Sequence, residues 1–223
     1  MSFAVSPRVY LTSIDTSDYS EIASVPLGGL SLTFGPKGGN WDLSINGLAG
    51  SGDSDLTFLS DGVWGLQNGG KFEIDRVDYE ALYRYRLSDS PVYFGFGLRY
   101  VDVEEQYIGA VEGLLETDFT EITLGEFAVG FSRQVTEGSR HSMFANLLLG
   151  FGQFDYKAIE VGEPDILDDG SAFLVDTNVG WQYVMTEQTS ISARYRVIAV
   201  VSSGELDEQD TVQGPEFAFT FRF

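Results

Sequence analysis

The chain holds a single histidine, His141, followed directly by Ser142. A histidine beside a hydroxyl could serve as general base to a serine nucleophile. Neighbouring side chains of a strand point to opposite faces, however, so this pair would diverge. With Arg140 beside it, His141 reads as a turn residue, and no catalytic residue is assigned. Carboxylates pair at Glu104–Glu105 and Asp168–Asp169, and Glu205, Asp207, Glu208 and Asp210 cluster more densely. Oxygen-rich loops of this kind could hold Ca²⁺ or Mg²⁺. Their spacing does not follow an EF-hand loop, so they read as solvated loops and no metal site is expected. Gly38–Gly39 and Gly69–Gly70 lack a phosphate-loop pattern and read as turns. The absence of cysteine excludes disulfides, thiolate metal sites and a cysteine nucleophile. The expectation is a protein without enzymatic activity and without a cofactor.

Charge excludes another class. Thirteen Lys and Arg stand against 34 Asp and Glu, a net charge of -21. Phosphate backbones need a basic surface, so no nucleic-acid partner is expected. The 223 residues suit one domain, 1–223. Mean hydropathy is -0.03, and no stretch approaches the roughly 18 apolar residues of a membrane helix. Apolar runs such as Val197–Val201 and Leu147–Leu149 are far too short. The chain opens without an export signal, so it reads as a mature, exported sequence with an added initiator methionine.

The elements that would position these residues announce themselves by period-two alternation. From Asp75 to Leu87, Val77, Tyr79, Ala81, Tyr83 and Tyr85 share one face, and Arg76, Asp78, Glu80, Arg84 and Arg86 share the other. A strand separates the two sets; a helix would mix them. The same rule gives strands over Val5–Ile14, Leu27–Phe34, Trp41–Gly50, Phe72–Leu87, Val92–Gln106, Asp118–Gln134, Ser142–Lys157, Ala172–Met185, Ser190–Ser202 and Gln213–Phe223. Connections alternate between short (Gly35–Asn40, Ser88–Pro91, Val135–His141, Thr186–Thr189) and long (Asp15–Pro26, Ser51–Lys71, Tyr107–Thr117, Ala158–Ser171, Ser203–Val212). The fold class predicted is all-β: a transmembrane, antiparallel, up-and-down β-barrel of ten strands, with eight as the alternative.

Which face looks inward follows from the arginines. Arg8, Arg76, Arg84, Arg86, Arg99, Arg194, Arg196 and Arg222 all fall on the polar face. On a lipid face near the midplane each would cost about 2–4 kcal/mol. Glu80, Glu126 and Asp176 share that face, with Asp42, Asn46, Asp78, Asn146, Asn178, Gln182 and Glu216. These residues are the predicted lumen lining, either as a network filling a narrow barrel or as the wall of a selective pore. Trp41 and Trp181 suit a membrane interface. Leu56, Phe58, Leu59, Val63 and Trp64 lie in a long connection and are expected to fold over the barrel mouth.

The C-terminal residues Phe217, Phe219, Phe221 and Phe223 alternate with Ala218, Thr220 and Arg222. This ending resembles the C-terminal strand signature of Gram-negative outer-membrane proteins. The resemblance implies that Phe219, Phe221 and Phe223 form an assembly signal read by the barrel-assembly machinery. It also implies an outer-membrane location with periplasmic termini, in contact with outer-membrane lipid and lipopolysaccharide. Ten strands resemble the omptin proteases and Opc-type adhesins in size class; eight would resemble the small OmpA- or OmpW-like barrels. Fold alone assigns no function. The first expectation is a small passive, porin-like channel for small solutes. The alternative is a structural or adhesion barrel with a plugged lumen, whose extracellular loops bind a partner.

Overall fold

The computed structural model describes residues 1–16, 22–56, 70–88, 90–109, 113–203 and 209–223. Phe58, Leu59, Val63, Trp64, Glu205, Asp207 and Glu208 lie outside the described residues. Ten strands follow one another: β1 (Ser2–Thr16), β2 (Ile22–Gly35), β3 (Trp41–Leu56), β4 (Gly70–Arg86), β5 (Val92–Gly109), β6 (Gly113–Gln134), β7 (His141–Glu160), β8 (Ile166–Val184), β9 (Thr189–Ser203) and β10 (Gln209–Arg222). Each pairs antiparallel with its neighbours in sequence, and β1 pairs with β10 to close the barrel. Closure matches Val5 to Phe221, Val9 to Phe217 and Ile14 to Val212. No sheet edge remains at the seam, and the shortest stretch of regular pairing is between β2 and β3, where Gly28–Phe34 meets Leu43–Ala49. The ten-strand barrel expected from the sequence is therefore the one observed, and the eight-strand alternative is excluded.

Both termini lie at one end, with the connections that follow β2, β4, β6 and β8. In two of these turns Gly38 and Gly138 adopt φ of 70° and 73°, a left-handed conformation that side-chain-bearing residues resist. We call this the turn end.

At the opposite end the strands run further than their alternation suggests. β5 and β6 stay paired as far as Gly109 and Gly113, and β7 and β8 as far as Ala158 and Ile166. The stretches Tyr107–Thr117 and Ala158–Ser171, expected to be long connections, are therefore mostly strand. The cause is a reversal of polarity along the strands from β4 to β8. On β4, Val77, Tyr79, Ala81, Tyr83 and Tyr85 face outward while Arg76, Asp78 and Glu80 face inward. Further along, Glu73 and Asp75 face outward, and Phe72 and Ile74 are buried inside. β5 repeats this: Phe94, Phe96 and Leu98 outside over Arg99 inside give way to Asp102 and Glu104 outside over Val101 and Val103 inside. Glu121 on β6, Asp155 on β7 and Asp169 on β8 continue the acidic outer ring.

The barrel is thus two stacked barrels of opposite polarity. The turn-end part has an apolar outside, as lipid requires; the far part has an acidic outside and an apolar inside, as water requires. On β8 the outward apolar band runs from Phe173 to Tyr183, eleven residues, close to the roughly 9–11 that a tilted strand needs to cross a bilayer. Aromatic pairs mark its borders. Trp41 stacks on Tyr83 at 6.0 Å and Trp181 on Tyr183 at 6.1 Å near the turn end, while Phe151 and Phe173 meet at 4.9 Å at the other border. Interfacial Trp and Tyr sit where an apolar ring body meets a wet polar tip.

Candidate functional site in the lumen

The inward side chains fall into three tiers. Nearest the turn end is an open polar vestibule of about 380 Å³. Hydroxyls and amides line it, among them Ser31, Thr33, Ser44 and Ser192 with Asn46, Asn178 and Gln182. Arg84, Arg86 and Arg222 reach into it from β4 and β10. Arg84 donates from Nε to Asp42 Oδ1 at 2.7 Å and lies over the ring of Tyr93, 5.6 Å from its centre. Tyr93 in turn bonds Asn146, which donates to Asn178 at 2.8 Å.

The middle tier is an ionic belt. Arg99 donates from Nε to Asp78 at 3.0 Å and from Nη1 to Asp176 at 2.9 Å, with Glu126 at 3.6 Å. Arg196 forks onto the same Asp176, with Nε 3.0 Å from Oδ1, and reaches Glu216 at 3.7 Å and Glu80 at 3.9 Å. Glu216 also accepts from Arg8 Nε and Arg194 Nη2, each at 2.6 Å. One connected network therefore joins β1, β4, β5, β6, β8, β9 and β10 across the lumen. Five arginines (Arg8, Arg76, Arg99, Arg194, Arg196) face five carboxylates (Asp78, Glu80, Glu126, Asp176, Glu216), so the formal charges of the belt balance. Planar guanidinium forks suit this bridging, because each can hold two carboxylates at once. Arg76 sits on the far side of Asp78, 2% exposed; its Nε and Nη2 and both Glu126 oxygens have no hydrogen-bond partner among the described residues.

The third tier is apolar and solid. Tyr10, Leu27, Val101, Leu124, Leu174 and Ile198 are at most 1% exposed and pack into one cluster with Ile14, Ile74, Ile122, Phe154, Val200 and Val212. Tyr10 donates its hydroxyl to the Arg196 and Val212 carbonyls at 3.0 and 3.3 Å, which seats the cluster on the belt. Each such side chain removed from water contributes on the order of 1.5–3 kcal/mol. The reading of the inward face as polar throughout is corrected here: beyond the belt it is a hydrophobic core. A signal existed. Where the runs Val197–Val201 and Leu147–Leu149 break alternation, both faces are apolar, and Ile198, Val200 and Leu148 are the inward members.

The structure does not bring His141 and Ser142 together. His141 faces outward at the turn end, where Nδ1 accepts from Trp181 Nε1 at 3.2 Å and the ring stacks on Trp181 and meets Tyr183 at a tilt. Among the described residues no group of three or more His, Asp or Glu is placed to hold a metal ion. Phe223 exchanges backbone hydrogen bonds with Phe3 across the closure seam, and their rings stack at 6.0 Å.

The closed antiparallel barrel is similar to solved structures. The outer-membrane protease OmpT of Escherichia coli superposes with a TM-score of 0.67 at 7% identity, over 100% of this chain and 97% of that one. The translocator domain of the autotransporter NalP of Neisseria meningitidis gives 0.55 at 11% identity, over 99% and 88%. The fold is similar to that of these bacterial outer-membrane β-barrels. At such identities the likeness is one of fold, and it places neither substrate nor active site on this chain. No protein-family model and no curated protein sequence matches the chain.

Proposed function

We propose that the protein is a non-conducting barrel of the bacterial outer membrane, termini in the periplasm, that holds its far-end collar and connections outside the cell to bind a partner. The observation carrying this reading is the apolar third tier. Val101, Leu124 and Leu174 fill the lumen directly above the Arg99–Asp176 pair. A hydrated solute crossing there would shed its water against side chains that offer no polar replacement. The collar supports the same reading: its acidic outside suits water, and its packed inside makes it a rigid platform. A non-enzymatic role accords with His141 lying in an aromatic stack on the outer face.

The second reading is the passive channel for small solutes, which the vestibule of about 380 Å³ favours. Planar-bilayer recording separates the two. Inserted, folded protein is expected to give no conductance steps. Discrete steps that change in an Arg84→Ala, Arg194→Ala variant would overturn the closed barrel and establish a pore lined by these arginines.

A further inference from the structure

The vestibule carries more positive charge than the barrel needs for its own pairing. Two adjoining cavities, of about 380 and 200 Å³, share Arg84, Arg86, Arg194, Tyr93 and Gln182 in their walls. Together they are lined by six arginines (8, 84, 86, 194, 196 and 222) and four carboxylates (Asp42, Glu80, Asp176 and Glu216). The excess of two positive charges is localised. Arg8, Arg194 and Arg196 converge on Glu216, and Arg84 on Asp42. Arg86 and Arg222 have no acidic partner among the described residues. They stand at the vestibule mouth on β4 and β10, in a chain whose net charge is -21. Solvation of a mouth needs polar side chains, but it does not need uncompensated cations of one sign in so acidic a protein.

The remaining wall indicates what would accompany an anion. Short hydroxyl and amide side chains from several strands surround the space, including Ser31, Ser44, Ser192, Asn178 and Gln182, and they can donate and accept. A bare inorganic anion would use few of them. A ring bearing several hydroxyls would use many, and its acid group would reach the arginines at the mouth. The space falls in the range of about 300–1,000 Å³ typical of small-ligand pockets. The geometry points to a binding site for an acidic sugar, an anionic polyhydroxylated small molecule entering from the turn end, with Arg86 and Arg222 holding its acid group. The site is independent of whether the lumen conducts, because it opens on one side of the ionic belt.

Titration calorimetry of the refolded barrel in detergent micelles tests this, with glucuronate as probe, glucose as the neutral control and sulfate as the bare anion. Glucuronate is expected to give saturable heat, and sulfate and glucose at least tenfold weaker binding. An Arg86→Gln, Arg222→Gln variant is expected to weaken glucuronate at least tenfold. Neither arginine is in the belt, so the variant keeps the folded barrel's resistance to unfolding in urea. Absence of saturable heat with glucuronate, binding unchanged in the variant, or sulfate binding as tightly as glucuronate would each overturn the assignment.

Discussion

Arg99 on β5 and Asp176 on β8 meet at 2.9 Å although their strands share no ladder; β6 and β7 lie between them along the wall. The pair is a strut across the lumen. Both side chains are nearly inaccessible, at 0% and 3%. Removing one partner of a buried ion pair strands the other, at a cost of about 3–5 kcal/mol. Asp176→Asn should therefore destabilise the barrel by about that much, as measured by urea unfolding in lipid vesicles. A double-mutant cycle with Arg99→Met should show a coupling of about 0.5–3 kcal/mol. Additive losses would mean that each residue is held by its other partners, Asp78 and Arg196, and that the strut itself contributes little.

The reversal of polarity predicts a position-dependent response on one face of one strand. Leu98 and Glu104 both point outward from β5, with Leu98 in the apolar band and Glu104 in the acidic ring beyond it. Leu98→Arg should cost about 2–4 kcal/mol, the penalty for a cation near the lipid midplane. Glu104→Arg should cost less than about 1 kcal/mol, because water or headgroups surround it. The comparison is made by reversible urea titration of vesicle-inserted protein. Equal costs at both positions would place Glu104 within lipid and remove the collar.

Legibility in the sequence tracks this same reversal. Between Arg76 and Leu87 alternation was unambiguous, since the lipid band sets apolar outside and the belt sets charge inside; strand and face both followed. Beyond Arg76 both cues fail together. Phe72–Asp75 falls inside the predicted strand Phe72–Leu87, but there Glu73 and Asp75 face outward and the buried Phe72 and Ile74 alternating with them are the core-facing set. Ile166–Ser171 was missed as strand for a related reason: Asp168 faces in and its neighbour Asp169 faces out, so charge no longer marks one face. The eight arginines could be placed by face, because a charge in lipid is so costly. Their partners could not be, because Arg99 pairs across the lumen with a residue 77 positions away, and only barrel closure decides which strands stand opposite. A plugged lumen was foreseen as an ionic network; the apolar tier beyond it was not, because the arginines and carboxylates alone defined the inward face.

Glu116 and Glu160 lie directly opposite each other where β6 and β7 leave the band. Burial, and then the Glu160 charge, push the Glu116 carboxyl above its usual range. A carboxyl whose folded-state pKa is raised destabilises the protein as pH climbs through that interval, and the penalty persists above it. Glu116→Gln should therefore stabilise the barrel at neutral pH by about 0.2–1 kcal/mol, the scale of a cross-strand like-charge pair. The gain should vanish below about pH 4, where the glutamate is protonated in folded and unfolded chains alike. Urea midpoints at neutral and acid pH check this. A gain of the same size at both would mean that packing rather than charge is responsible.

Phe223 closes the seam by exchanging backbone hydrogen bonds with Phe3 and stacking on its ring at 6.0 Å. Its side chain is nonetheless 76% exposed and faces outward beside Phe221. A group so exposed contributes little packing inside the finished barrel; truncation there should remove at most about 1 kcal/mol, the value of an aromatic pair. Phe223→Ala keeps the backbone bonds, so refolding into vesicles from urea should proceed with a nearly unchanged midpoint. If Phe223 with Phe221 and Phe219 forms an assembly signal, the same variant should accumulate poorly in the outer membrane of a Gram-negative host. Folded protein per cell, read by resistance of the barrel to protease, would fall several-fold while refolding in vitro is preserved. Equal loss in both settings would assign Phe223 to stability of the seam alone, and no loss in either would remove it from assembly.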